Sequence, residues 1–161
     1  MQMNKKMLAA VLSVLAMSAC ATPPTPMTIS DTAAATPQLS TLTKLLNDAG
    51  LTDTLKQAGP YTVFAPTDDA FKAVPAKTLD ALSKDKALLM SVLTYHVTPG
   101  KLASGDMKNG PITTLQGAPA SLYRSGTFVT VESAVVTTAD VEASNGVVHI
   151  VDQVLIPPVK K

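Results

Sequence analysis

Tryptophan is missing from this chain, and only 4% of its 161 residues are aromatic. A core made without many large rings must come from Leu, Val, Ala and Ile, which the 46% apolar content supplies. The single cysteine, Cys20, excludes an intramolecular disulfide and a thiolate-rich metal site. His96 and His149 are the only histidines, and neither has a second His or Cys at metal-ligand spacing. The 13 basic residues nearly balance the 12 acidic ones, with no basic patch and no aromatic platform, which argues against nucleic acid as a partner. A G-x-S-x-G elbow, a Gly-rich phosphate loop and a Ca²⁺ loop are all lacking. Asp68 and Asp69 are adjacent, so on a helix they diverge by roughly 100° and cannot work as an acid–base couple. No cofactor is expected, and nothing in the sequence speaks for an enzyme.

What is present begins with a leader. Lys5 and Lys6 precede an apolar run over residues 7–17, and Ser18-Ala19-Cys20 follows. Charge, a short apolar segment and small residues are the parts of a secretory signal, and the run falls short of the roughly 20 residues of a spanning helix. Placed directly after small residues, Cys20 resembles the lipid-modified residue of a bacterial lipoprotein. The competing reading is cleavage after Ala19 with an unmodified cysteine. Two acyl chains on Cys20 would anchor the protein to a bilayer. By the same resemblance, Ala21 in place of a retention aspartate favours the outer membrane, facing the periplasm or the cell surface. Residues 21–37 carry four of the twelve prolines among Thr, Ala and Ser, a composition expected of a tether. Stretched out, it would reach about 55 Å. The expected organisation is a leader over 1–20, a tether over 21–37, one domain over 38–158 and a tail over 159–161.

Within that domain, Leu39, Leu42, Leu45, Leu46 and Ala49 recur at helical spacing, and Gly50 stands where a left-handed cap would end the helix. A short helix with Leu55 and Ala58 is expected next, stopped by Gly59-Pro60. The run from Tyr61 to Ala65 is β-branched and aromatic and reads as a strand. Thr67, Asp68 and Asp69 then suit a helix start. Helical stretches follow over 76–82 and 86–93, the second capped by Asp85. Beyond Tyr95 the chain turns to Val, Thr and Gly. A hairpin is expected around Arg124-Ser125-Gly126, and strands over 135–141 and 146–156. Asn145-Gly146 reads as a tight turn at positive φ. It delivers a strand that is apolar on both faces and is expected to pair with 62–65 at the centre of the sheet. Helices before strands argue for an α+β fold.

The stretch Thr62-Val63-Phe64-Ala65-Pro66-Thr67-Asp68-Asp69-Ala70-Phe71 resembles the first signature block of fasciclin-like domains. Three further stretches agree in order: Leu93 to Val97, Asp140-Val141, and Asn145 to Leu155. The resemblance implies N-terminal helices packed on a mixed or antiparallel β-sheet wedge. It also implies a non-catalytic adhesion or binding module, with an unknown protein or surface glycan as partner, self-association included. An alternative is a periplasmic carrier or sensor for a small ligand or glycan. In fasciclin-like domains of animal matrix proteins, a Tyr-His pair and a Glu-Pro-Asp-Ile-Met motif are linked to adhesion. Tyr95-His96 matches the first, and Asp140 with the similar Val141 matches part of the second, so these four are the candidate interaction residues. Read from the residues alone, Tyr95 fills the core and His96 closes a hydrogen bond at a strand start. Each histidine is then expected to lie half-buried with one nitrogen bonded.

Overall fold

The structure, a computed structural model, describes residues 27–57 and 59–158. The leader, Cys20, residues 21–26, Ala58 and the tail lie outside the described residues. At the start of the described chain, Thr28 and Asp31 form a capping box that opens helix α1 (Ile29–Ala35). Ile29 and Ala33, four positions apart, bury one face of it in the core. This corrects the tether expected through residue 37, since residues 28–37 are folded onto the domain. Their Thr, Ser and Ala content concealed a helix that needs only two apolar side chains inward.

After a 3₁₀ turn (Pro37–Leu39) comes α2 (Ser40–Ala49), with Leu42, Leu46 and Ala49 inside. Gly50 ends it at φ 74°, its N–H bonding back to the helix. A second 3₁₀ turn (Thr54–Lys56) buries Leu55. Strand β1 (Tyr61–Pro66) feeds α3 (Asp68–Ala73), whose first turn Thr67 caps through Ala70 N–H. Then come α4 (Ala76–Lys84) and α5 (Lys86–Tyr95), the latter opened by Asp85, whose carboxylate accepts from Ala87 and Leu88.

The remaining strands are β2 (Val97–Pro99), β3 (Gly110–Thr113), β4 (Pro119–Ser125), β5 (Phe128–Val131), β6 (Ala134–Ala143) and β7 (Gly146–Val151). They form one mixed seven-stranded sheet in the order β2-β1-β7-β6-β5-β4-β3. Only β1 and β7 run parallel, with Thr62 opposite Val147 and Ala65 opposite Ile150. The expected pairing is therefore present, but it stands second and third from one edge while β6 holds the centre. The sheet curls until its two edges approach, and Leu115 N–H donates to the Val97 carbonyl at 2.7 Å.

Curling makes two cores, one on each face. Val63, Ala65, Val148 and Ile150 meet the helices through Leu39, Leu42, Leu46 and Leu93. Phe64 and Val151 point the other way, into the curl, against Tyr95, Met107, Leu122, Val129 and Val131. A β7 buried at every position is the consequence. Two boundaries differ from expectation. Arg124 and Ser125 belong to β4, so the hairpin turns at Gly126-Thr127. β7 stops at Val151, because at Asp152 the carboxylate rather than the backbone carbonyl accepts from Val135 N–H, at 2.7 Å.

Candidate functional site

Tyr95 closes α5 and His96 caps it, and both face inward, at 1% and 2% exposure. The Tyr95 hydroxyl lies 3.2 Å from the Pro119 carbonyl and 3.4 Å from Glu132 Oε1. Burial, and then the Glu132 charge, push its pKa up to about 12. His96 donates from Nδ1 to the Val92 carbonyl at 2.7 Å and accepts at Nε2 from Leu155 N–H at 2.9 Å. The ring is thereby fixed as the neutral Nδ1–H tautomer, and burial lowers its pKa to about 4. Neither side chain can touch a partner while the domain is folded. The contact role implied by the resemblance gives way to the structural one read from the residues: His96 ties α5 to the chain beyond β7, and Tyr95 ties it to β4.

His149, on β7, is fully buried and also uses both nitrogens. A bulge in β6 sets Asp140 at φ 57° and turns its N–H onto His149 Nδ1 at 3.2 Å. On the other side, His149 Nε2 donates to the Leu102 carbonyl at 2.7 Å. Both histidines thus differ from the half-buried, singly bonded rings expected. The Asp140 carboxylate accepts from Ser104 N–H at 2.7 Å and from the Ser104 hydroxyl, and these bonds hold its pKa below the usual range. Serine, aspartate and histidine do come together here, but in the wrong order for a nucleophile. The Ser104 hydroxyl donates its hydrogen bond to the carboxylate, while the ring bonds only backbone groups and cannot act as its base. Val141, half-buried, packs toward the helices. Asp140 is exposed, yet its carboxylate is occupied in holding the loop at Ser104. Among the described residues no cluster of three or more His, Cys, Asp or Glu is placed to hold a metal.

The surface feature that sequence reasoning missed is on the β4–β5 hairpin. Ala120, Leu122, Val129 and Val131 point into the curl, so the alternate positions face solvent. Phe128 is 71% exposed and Tyr123 58%. Ser125 stands opposite Phe128 and Thr130 opposite Tyr123, which makes the two rings diagonal neighbours roughly 7 Å apart on one face. Pro111, Ser121 and Val135 extend that face across β3, β4 and β6, and no charged side chain occupies these strand positions. Arg124 lies on the other side, donating to the carbonyls of Gly105 and Gly126. Alternation with Leu122 and Val129 was the signal available in the sequence.

Helices over a curled mixed seven-stranded sheet define an α+β module of the fasciclin type. The chain belongs to the fasciclin domain family, whose profile matches residues 37–157. It is 44% identical over 136 residues to "Protein sll1483" of Synechocystis sp., covering 82% of this chain and 74% of that protein. Identity to "Immunogenic protein MPB70" of Mycobacterium bovis is 41% over 127 residues, or 76% of this chain and 65% of the relative. With "Cell surface glycolipoprotein MPB83" of the same species it is 43% over 127 residues, and the match spans 57% of that protein. The fold matches a FAS1 domain pair of the insect cell adhesion molecule Fasciclin I at a TM-score of 0.64 and 18% identity, covering 81% of this chain and 51% of that one.

Proposed function

We propose that this chain is an exported binding module, held to a membrane by lipid on Cys20, which meets a protein partner through the Tyr123–Phe128 face. The observation that carries the reading is the pair of exposed rings on strand positions whose neighbours Pro111, Ser121, Ser125, Thr130 and Val135 carry no charge. Interface centres are depleted of charged side chains and enriched in aromatic ones, and rings offer large contact area at low entropic cost. Isolated exposed apolar residues need no explanation, but two adjacent rings in a chain with six do. The likeness to MPB83, a cell surface glycolipoprotein, supports export and a lipid anchor.

Cells producing the full chain should attach or aggregate more than cells lacking it, and the double variant Tyr123→Ser/Phe128→Ser should lose that gain. Both rings are exposed, so the variant should melt where the parent does. Cys20→Ala should release the protein in soluble form. Unchanged attachment by a folded double variant would overturn the contact assignment, and retention of Cys20→Ala in the membrane fraction would overturn the anchor.

A further inference from the structure

Past β7 the chain runs without regular structure over residues 152–158 and forms one wall of a groove whose other wall is α4 and α5. The groove holds about 520 Å³ and is lined chiefly by Leu82, Leu88, Val92, Val154, Ile156 and Pro157. Its few polar groups are Lys77, Thr78, Ser91 and Gln116. Gln116 Nε2 donates to Ser91 Oγ at 2.9 Å, while Oε1, also buried, has no hydrogen-bond partner among the described residues. Buried amide oxygens are rarely left without a donor. Lys77 forms no ion pair among the described residues. A second hollow of about 680 Å³ continues past Val74 and Ile156 toward Glu132 and Asp152, so the far end of the trough is acidic.

We infer that this groove binds a single-chain anionic amphiphile that carries a hydroxyl near its head. The acyl chain lies along Leu82, Leu88, Val92 and Ile156, where its transfer from water is favourable. The hydroxyl donates to Gln116 Oε1 and so supplies the bond that the protein leaves open. The anionic head sits at Lys77, because Glu132 and Asp152 repel it from the other end. Size selects a small ligand over a macromolecule: the volume falls within the range of small-molecule sites, which runs from roughly 300 to 1,000 Å³. This site is separate from the aromatic hairpin and does not depend on the function proposed for it.

The test compares three probes below their micelle concentrations by calorimetry and thermal shift on the folded chain: 3-hydroxydodecanoate, dodecanoate and dodecyltrimethylammonium. Expected are saturable binding of 3-hydroxydodecanoate with a raised melting temperature, about tenfold weaker binding of dodecanoate, and none of the cation. Gln116→Leu should erase the preference for the hydroxylated chain, and Lys77→Glu should weaken both acids about tenfold or more. Ala81 lines the groove at an exposed helix position, so Ala81→Trp should block binding without unfolding the domain. No saturable binding, equal binding of the cation, or binding indifferent to Lys77→Glu and Ala81→Trp would each overturn the site. A hydroxyl preference that survives Gln116→Leu would overturn its orientation.

Discussion

At Gly146 an added Cβ would stand 1.8 Å from the Tyr61 carbonyl oxygen and 2.8 Å from that residue's N and C atoms. All three are backbone atoms in the parallel β1–β7 ladder and cannot move aside singly. Gly146→Ala should therefore lose at least about 3 kcal/mol in chemical unfolding. Gly126, at φ 63° with open space around it, should lose only about 1–2 kcal/mol on the same change. Equal losses at the two sites would refute the close-approach argument. The need for glycine was legible in the sequence, but its reason was not. Asn145-Gly146 reads as a positive-φ turn, whereas the turn residues are Ser144 and Asn145, and Gly146 already begins β7 at φ 156°. Asn145 serves instead as a cross-link. Its Oδ1 accepts from Ile29 N–H at 2.9 Å, and its Nδ2 donates to the carbonyls of Leu55 and Gln57. Asn145→Ala should cost about 1–3 kcal/mol and expose α1 to protease before the rest of the domain, because it strips the helix start of its acceptor. Uniform protease resistance would count against that linkage.

Between elements, the carboxylate of Asp68 does more than favour its own helix. It accepts from Ser40 Oγ at 2.7 Å and from Thr41 N–H at 2.8 Å, so it caps α2 from α3. No side chain of α2's own flanking residue performs this task. The Ser40 bond is the first cause of the lowered Asp68 pKa. Asp68→Ala should then cost about 1 kcal/mol, the usual loss of a cap. Asp69→Ala, which removes only a solvent-exposed pair with Lys72, should be nearly neutral. Urea melts of the two variants check the contrast, and a reversed order would refute it. Elements fixed by local pattern were legible: α2 with its glycine stop, α5 with Asp85, and the β4–β5 hairpin. Those fixed by distant partners were not. α1 hides among Ala and Thr because Asn145, more than a hundred residues on, completes its first turn. β7 ends early because the Asp152 carboxylate takes the Val135 N–H of β6 in place of a backbone carbonyl, and Leu155 N–H then turns to His96. For Tyr95-His96 the contact role came from the family resemblance, whereas the reading from the residues, Tyr95 in the core and His96 closing a hydrogen bond, agrees with their burial.

Across the whole molecule, the two histidines join parts that the chain alone would leave loose. His96 fastens α5 to the segment after β7, and His149 binds the β6 bulge and the loop at Leu102 while stacking on Phe64, ring centroids 5.7 Å apart. Each accepts a backbone N–H on one nitrogen, so a second ring proton would meet a donor instead of an acceptor. Burial is the first cause of the lowered pKa at both, to about 4 for His96, and at His149 the Leu102 hydrogen bond and then the Asp140 charge only partly oppose it. At His96 the unfolded chain takes up its proton near pH 6.5, while the folded one resists until about pH 4, and His149 in the folded chain likewise resists protonation. Stability is thus fully present above pH 6.5 and falls as the solution is acidified through that window. For His96 the loss is about 3 kcal/mol, being 1.36 kcal/mol for each unit of pKa difference, and His149 adds to it in the same direction. Asp68 and Asp140, whose carboxylate pKa values are depressed, add their own loss only below about pH 4. Urea unfolding at pH 7.0, 5.5 and 4.5 should show the decline. His96→Gln should be less stable than the parent at pH 7.0 but flatter across the series, because the unfolded chain then gains one proton fewer. A parent curve level from pH 7.0 to 4.5, or a variant as steep as the parent, would mean that the rings are not held neutral by the fold.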